Sequence, residues 1–278
     1  MKQMVDHTDS LLGKPTAYPG EYSPHILQRI DRRQGRQLLG INPDALPFSG
    51  ADLWTAYEVS WCDRDDKPCV GVGEITVPCD SPFLIESKSL KLYFNSLNNH
   101  RFNHWVDFQT AIVTDLSRIC GAAVGVEVFR IDDYVRKGLS NVPGACLDDL
   151  PVTAGYGSPN AELLRVTDSD LITDETVYSH LFKSNCPVTG QPDWATVQID
   201  YRGRVIDHGS LLAYIISFRH HRAFHEQCVE QMFIDILGRC APDYLAVAAR
   251  FTRRGGLDIN PVRSSGTDAA RWLRTGRQ

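Results

Sequence analysis

The stretch that decides the fold is Ser89-Leu90-Lys91-Leu92-Tyr93-Phe94-Asn95-Ser96-Leu97-Asn98-Asn99-His100-Arg101. Its pattern of Ser-Leu, Tyr, Ser, an apolar residue and His-Arg returns without a gap at residues 210–222. Apolar residues at positions 90, 93, 94 and 97 have the spacing of one helix face. A repeat of this kind indicates an internal duplication, in which both halves carry the same order of elements.

Flanking residues support the same alignment. The further matches are Asp115 with Asp235, Cys120 with Cys240, and Trp54-Thr55-Ala56 with Trp194-Ala195-Thr196. In the first half, the periodicity predicts strands at 54–61 and 70–77, helices at 90–97 and 106–120, and a strand at 124–131. In the second half, it predicts strands at 194–201 and 204–208, helices at 210–220 and 225–239, and a strand at 244–252.

This order predicts an α+β protein with two ββαα units in tandem, each an antiparallel sheet backed by helices. We predict an N-terminal arm at 1–49, a first unit at 50–134, a connection at 135–178 and a second unit at 179–278.

Composition narrows the functional classes. The chain has 278 residues, 42% hydrophobic and 23% charged, with a net charge of −5, which is ordinary for a globular protein and does not suggest a basic nucleic-acid binder. No apolar run is long enough for a membrane helix, and the N-terminus lacks a signal-peptide core, so we expect a cytoplasmic protein. The eight cysteines form no C-x-x-C pair, and we expect reduced thiols and no metal site.

One cysteine lies in a polar loop punctuated by prolines, Ser184-Asn185-Cys186-Pro187-Val188-Thr189-Gly190-Gln191-Pro192-Asp193-Trp194. Two interpretations stay open, because a cysteine is either a small buried hydrophobe or, as thiolate, a nucleophile. The first half has no counterpart of this loop before Trp54.

Three other clusters could carry chemistry. Glu86-Ser87-Lys88-Ser89 stands where a strand turns into a helix, which suits an anionic ligand or, alternatively, a plain serine N-cap. His225-Glu226 is the second cluster. Arg253-Arg254-Gly255-Gly256 is the third, and it is either a phosphate contact or a solvated turn after the last strand.

With these four clusters, the chain resembles the NADPH-dependent 7-cyano-7-deazaguanine reductases, the nitrile reductases of queuosine biosynthesis, in their long, duplicated form. The resemblance rests on Glu86-Ser87-Lys88-Ser89-Leu90-Lys91, the cysteine loop, Phe224-His225-Glu226-Gln227, and the segment from Arg253 to Pro261. It implies a tunnelling fold, a homodimer, NADPH as cofactor, and reduction of the substrate nitrile to an aminomethyl group.

The resemblance also implies a role for each residue. Cys186 would form a covalent thioimide and Asp193 would donate a proton. The implied substrate contacts are Ile85, Glu86, Ser87, His225 and Glu226. The implied NADPH contacts are Ser87, Lys88, Arg254 and Gly255, with no metal and no direct nucleic-acid partner.

Three alternatives remain at this stage. A hydrolase with a cysteine nucleophile would use the same thiol without NADPH. A pterin- or GTP-processing enzyme of the tunnelling fold would need a metal. A purine-binding module would use the carboxylates without chemistry.

Overall fold

The structure is a computed structural model that describes residues 18–152, 157–266 and 273–278. The described residues form two compact units. The first comprises 18–44, 52–138 and 253–259, and the second comprises 45–51, 139–152, 157–252, 260–266 and 273–278. Residues 1–17 of the predicted arm lie outside the described residues.

The first unit contains the elements β1 (Arg29–Asp31), α1 (Arg32–Leu38), β2 (Ser49–Cys62), β3 (Pro68–Pro78), β4 (Phe83–Ile85), α2 (Ser87–Leu97), α3 (Trp105–Cys120), β5 (Gly125–Phe129) and α4 (Ile131–Val135). The first three residues of β2 belong to the second unit. Strands β5, β3 and β2 are neighbours in this order, and β1 pairs antiparallel with β4. The predicted helices and strands of this half are confirmed.

The repeated helix α2 buries the face that its sequence predicts. Leu90, Tyr93 and Leu97 are inaccessible to solvent and share one core with the fully buried Phe108 of α3. The ring of Trp61 on β2 stacks on Phe108 with centroids 4.1 Å apart. The helices are therefore held to the sheet by apolar burial, the main favourable contribution to folding.

The second unit contains β6 (Ala145–Cys146), β7 (Ile172–Asn185), β8 (Pro192–Arg204), α5 (His208–Ser217), α6 (His225–Cys240), β9 (Tyr244–Phe251) and β10 (Leu257–Ser264), although the first three residues of β10 belong to the first unit. Strands β10, β9, β8 and β7 are antiparallel neighbours, and β6 runs parallel to β7. Both units are therefore α+β, with antiparallel strands and helices.

Three strand predictions in the second half need correction. The sequence analysis found neither β7, in which four polar residues follow Ile172, nor β10. The predicted strand at 204–208 is wrong, because β8 itself continues to Arg204 and Asp207 then caps α5 by accepting from the Ser210 backbone N–H at 2.7 Å.

The repeated residues make the same hydrogen bonds in both units. The hydroxyl of Tyr93 donates to Asp115 at 2.8 Å, and that of Tyr214 donates to Asp235 at 2.7 Å. The hydroxyls of Ser96 and Ser217 each donate to the carbonyl three residues earlier, at 2.6 Å in both cases. The predicted duplication is thus visible as duplicated bonding.

The hydrogen bonds at the strand ends correct part of the sequence alignment between the two halves. At the end of β2, Cys62 donates its N–H to the His100 carbonyl at 2.9 Å, and at the end of β7, Asn185 donates to the His221 carbonyl at 2.8 Å. Because His100 and His221 are matched in the repeat, β2 corresponds to β7. The match of residues 54–56 with 194–196 is therefore wrong, since the latter lie on β8.

The same correspondence gives the cysteine loop a counterpart. Asp63 follows β2 and donates its N–H to the Lys67 carbonyl at 3.0 Å, as Cys186 does to the Gln191 carbonyl at 2.8 Å. The expectation that the first half lacks this loop is thus wrong. The counterpart lies after Trp54, at residues 63–67, and carries aspartate in place of the thiol.

Gly50, at the start of β2, permits a close backbone approach. Its φ is +135°, and a Cβ added there would lie 2.1 Å from the backbone oxygen of Val262. Gly138 has a φ of +66° with no atom within 4 Å of an added Cβ. A substitution at Gly138 therefore tests backbone strain alone, whereas one at Gly50 tests backbone strain together with steric overlap.

We expect Gly138→Ala to lower the free energy of unfolding by about 1 kcal/mol, through the left-handed backbone alone. Gly50→Ala should lower it by about 3 kcal/mol, because the added methyl also overpacks against backbone. Urea denaturation at constant m-value measures both changes. Equal losses in the two variants would contradict the close approach at Gly50.

Candidate active site

The cysteine loop is a hairpin connection between β7 and β8. The carbonyl of Cys186 accepts from the Gly190 N–H at 3.0 Å, and Gly190 has a φ of +70°, which glycine adopts without strain. The half-buried Cys186 is thereby held at one end of a tight turn.

The sulfur of Cys186 is a hydrogen-bond acceptor. The backbone N–H of Thr189 donates to Sγ at 3.5 Å. The thiols of Cys62 and Cys69 instead donate, to the carbonyls of Asn98 at 3.6 Å and Lys67 at 3.9 Å. Cys186 therefore differs from these two thiols in receiving a backbone N–H. A hydrogen-bond donor aimed at sulfur and partial exposure are features of the sites in which reactive cysteines occur.

Three other cysteines are excluded as nucleophiles because their thiols are buried. Burial raises the pKa of Cys120 to about 12, that of Cys228 to about 12, and that of Cys240 to about 11. These side chains are protonated at neutral pH, and an inaccessible thiol cannot reach a substrate.

Asp193 lies on β8, across the hairpin from the end of β7. It is directly opposite Ser184 in the β7–β8 ladder, and Cys186 is two residues beyond Ser184. The ladder ends with the pair Asn185 and Pro192, and the Cys186 N–H then donates to the Gln191 carbonyl at 2.8 Å, so Cys186 and Asp193 belong to the same end of the hairpin. The Asp193 carboxyl is buried, with 7% of its side chain exposed.

His225 joins this group from the first turn of α6. Its Nε2 is 3.5 Å from Oδ2 of Asp193, and its ring stacks on Phe251 with centroids 3.6 Å apart. Its Nδ1 is buried and has no hydrogen-bond partner among the described residues. A buried polar atom of this kind calls for an explanation, and a bound ligand is one.

Glu226 follows His225 and is buried in the same region. The carboxylates of Asp193 and Glu226 both contribute, after burial, to the raised pKa of the Cys228 thiol. The structure therefore brings Asp193, His225 and Glu226 together in one buried region of the second unit, and Cys186 lies in the loop of the hairpin that carries Asp193.

A bond at the end of β7 fixes this arrangement. Asn185 donates its N–H to the His221 carbonyl at 2.8 Å, and its carbonyl accepts from the Ala223 N–H at 3.3 Å. These contacts attach the residue before Cys186 to the segment that leads into His225. The helix itself begins at His225, with Gln227 accepting from the Phe224 N–H at 3.1 Å.

The other predicted residues lie in the first unit, at the start of α2. Glu86, not a serine, is the N-cap, and its carboxylate accepts from the N–H groups of Lys88 at 2.8 Å and Ser89 at 2.7 Å. The serine-cap interpretation is therefore wrong. Ser87 and Lys88 are the first two residues of the helix, and Ile85 packs in the core.

Arg254 and Gly255 lie in the turn between β9 and β10. Arg254 donates its N–H to the Leu257 carbonyl at 2.7 Å, and Gly255 and Gly256 have φ values of +54° and +75°. Two consecutive positive φ values define a type I′ turn. The interpretation as a turn is confirmed, but it joins two strands and does not follow the last one.

Sequence reasoning assigned no role to Lys91, which the structure places at this turn. A Cβ added to Gly255 would lie 3.1 Å from its Cε. Lys91, Gly255, Gly256 and Glu58 line a cavity of about 200 Å³. The signal was available in the sequence, because Lys88 and Lys91 are three residues apart and so share one helix face.

These residues fit NADPH. Lysine and arginine cations suit its phosphates, and a glycine turn with no Cβ leaves the backbone open to close approach. A carboxylate such as that of Glu58 accepts hydrogen bonds from ribose hydroxyls. The fit involves Lys88, Lys91, Arg254 and Gly255, which all belong to the first unit.

Fold and site define an α+β protein with a half-buried cysteine in a hairpin loop and a buried acid on the strand that follows. The family model for nitrile reductase, the N-terminal part of 7-cyano-7-deazaguanine reductase, matches residues 18–128, and the model for QueF-like protein matches residues 192–270. The chain belongs to this nitrile reductase family.

Three curated relatives are named NADPH-dependent 7-cyano-7-deazaguanine reductase. The one from Desulfotalea psychrophila is 50% identical over 96% of this chain and 96% of its own. Those from Azoarcus sp. and Teredinibacter turnerae are each 51% identical, over 93% and 95% of this chain and 92% and 94% of their own.

Among solved structures, the apo form of the archaeosine synthase QueF-Like is 19% identical and covers 36% of this chain and 99% of its own. Its TM-score of 0.30 is too low to support an argument. Among the described residues, no helix is long and apolar enough to cross a membrane.

We expect iodoacetamide at pH 8 to alkylate Cys186 well before Cys228, because the raised pKa and burial of Cys228 keep it a protonated, inaccessible thiol. Peptide mass spectrometry after short labelling times measures both rates. Cys62, half-buried but donating its thiol proton, should react more slowly than Cys186.

Labelling in urea is the control, and there the rates should become similar. Faster labelling of Cys62 than of Cys186 in the folded protein would contradict an activated thiolate in the loop.

Proposed function

We propose that this protein catalyses the NADPH-dependent reduction of the nitrile of 7-cyano-7-deazaguanine to an aminomethyl group, a step of queuosine biosynthesis. The observation that carries the proposal is the Cys186 sulfur, which accepts the Thr189 N–H in the loop of the hairpin that carries the buried Asp193. The names of the relatives supply the substrate and the cofactor.

The thiol of Cys186 suits a nitrile carbon, which is a modest electrophile. Asp193 takes the thiol proton, the thiolate adds to the carbon, and the nitrogen receives a proton from Asp193. The sum is addition of S–H across the triple bond, giving a thioimide on Cys186. Such covalent catalysis splits one difficult reduction into easier steps.

NADPH supplies the hydrides when it is bound. Asp193 would exchange protons with the nitrogen, and His225, whose Nε2 is 3.5 Å from its carboxylate, would orient it. Lys88, Arg254 and Gly255 would bind the cofactor, joined by Ser87 and by Lys91, which shares the helix face of Lys88.

Recognition of the purine-like ring depends on carboxylates in this proposal. Glu226 is buried, and a buried carboxylate can accept two ring N–H donors, which are strong charge-assisted bonds. His225 Nδ1 offers a further contact. In Glu86, each oxygen that caps α2 retains a lone pair, so it stays a proposed substrate contact with Ser87. Ile85 would contribute its backbone, since its side chain lies in the core.

The proposal also includes two tunnelling-fold units, a homodimer and a cytoplasmic location, as the sequence predicted. The repeated order of two strands and two helices supports the first of these. A cysteine hydrolase is the main rival, because it would use the same thiol. A metal-dependent pterin or GTP enzyme would need a metal at this site.

The first test combines two readouts on the same protein. With 7-cyano-7-deazaguanine, the absorbance of NADPH should fall, and without NADPH, intact-mass spectrometry should show an adduct with the mass of one substrate. Both signals should vanish in Cys186→Ala. Substrate turnover without NADPH oxidation would replace the reductase with the hydrolase.

We expect Asp193→Asn to reduce turnover about 10²–10⁴-fold, the usual contribution of a general acid, because the amide cannot supply the proton. The matched control is Asp200→Asn on the same strand, which should keep normal turnover and checks the fold. Wild-type rates of NADPH oxidation in Asp193→Asn at neutral pH would remove this residue from the mechanism.

A further inference from the structure

A second cluster of chemically active side chains lies at the β6 edge of the second unit. Ligand atoms of Cys146, Asp148 and His180 all lie within 4.8 Å of one another. The thiol is exposed, and the other two side chains are half-buried. The proposed reaction uses none of these residues.

Strand geometry brings the three together. Cys146 is paired with Tyr178 in the parallel β6–β7 ladder, and the Leu147 N–H donates to the Tyr178 carbonyl at 2.9 Å. Asp148 follows in the turn after β6, and His180 lies at the register shift of β7 between Ser179 and Phe182. The cluster therefore combines a strand pair, a turn and an irregularity in the ladder.

Two of the side chains are held in place by neighbours. Oδ1 of Asp148 accepts from the Ser179 hydroxyl at 2.7 Å and from the His180 N–H at 3.1 Å. Nδ1 of His180 is 2.8 Å from the hydroxyl of the buried Thr196. If Nδ1 carries the proton and donates it to Thr196, then Nε2 has a lone pair for a ligand. Metal-binding histidines are typically oriented by such a bond.

We propose that Cys146, Asp148 and His180 bind one Zn²⁺ ion. A thiolate, an imidazole and a carboxylate form a ligand set that zinc accepts, and three protein ligands leave a fourth position for water. Zinc–ligand distances of about 2.0–2.3 Å place tetrahedral ligand atoms roughly 3.3–3.8 Å apart, so small side-chain rotations suffice. Binding exchanges the Cys146 thiol proton for the metal.

Such an ion would fasten the short strand β6 to β7. Strand β6 has only two residues, and Gly144 before it has a φ of +103°, where an added Cβ would lie 2.2 Å from the Thr176 backbone oxygen. The metal would add a bond between the start of the connection and the body of the second unit. The sequence predicted no metal site, so this proposal departs from that expectation.

Cobalt is the probe for the test, because a thiolate ligand gives Co²⁺ a charge-transfer absorption band. The full-length protein is reduced with a phosphine, dialysed against a chelator, and titrated with Co²⁺ and then Zn²⁺. We expect one equivalent of Co²⁺ to produce the band and Zn²⁺ to displace it. Cys146→Ser should abolish the band while NADPH oxidation continues at the wild-type rate.

Two variants make the test specific. Cys186→Ala should keep the band, which separates this site from the active-site thiol. Thr196→Val should raise the dissociation constant about 10–100-fold, as loss of a supporting hydrogen bond to a ligand does. The absence of stoichiometric binding, an unchanged band in Cys146→Ser, or a band lost in Cys186→Ala would overturn the proposal.

Discussion

The candidate active site depends on the backbone bonds of Asn185. This residue ends β7, and it bonds to the carbonyl of His221 and the N–H of Ala223. The next residue along the chain is Cys186, while His225 begins α6 two residues after Ala223. One pair of hydrogen bonds therefore sets the nucleophile loop against the helix that carries His225 and Glu226. Without these bonds, the segment that leads into Cys186 would lose its backbone attachment to the segment that leads into His225.

The first unit has the same frame with different chemistry. Cys62 makes the corresponding bond at the end of β2, and Asp63 stands where the second unit has Cys186. Helix α3 begins at Trp105 where α6 begins at His225. The duplicated hydrogen bonds maintain the same backbone arrangement in both units, whereas the residues next to them differ between the units. Lys88, Lys91 and the glycine turn lie in the first unit, and Cys186 and Asp193 lie in the second.

Two carboxylates, those of Glu86 and Asp207, stabilise helices as N-caps, and Glu86 is also a proposed substrate contact. Glu86 caps α2 with both oxygens and so stabilises the helix on which Lys88 and Lys91 stand. Asp207 makes the matching cap in the second unit. Glu86 therefore has a structural role as well as a proposed role in substrate binding, and its replacement would disturb both roles.

The sequence by itself determined the duplication, most helices and strands, and the residues of the cysteine loop, because periodicity and local motifs are properties of neighbouring positions. It missed β7 and β10, where polar residues or an intervening turn obscure the alternation. Only the tertiary structure decided that β2 matches β7, that Glu86 is the cap, and that Cys146 lies close to His180. These relations depend on strand pairing between distant residues, and pairing register is fixed by the packing of the whole unit.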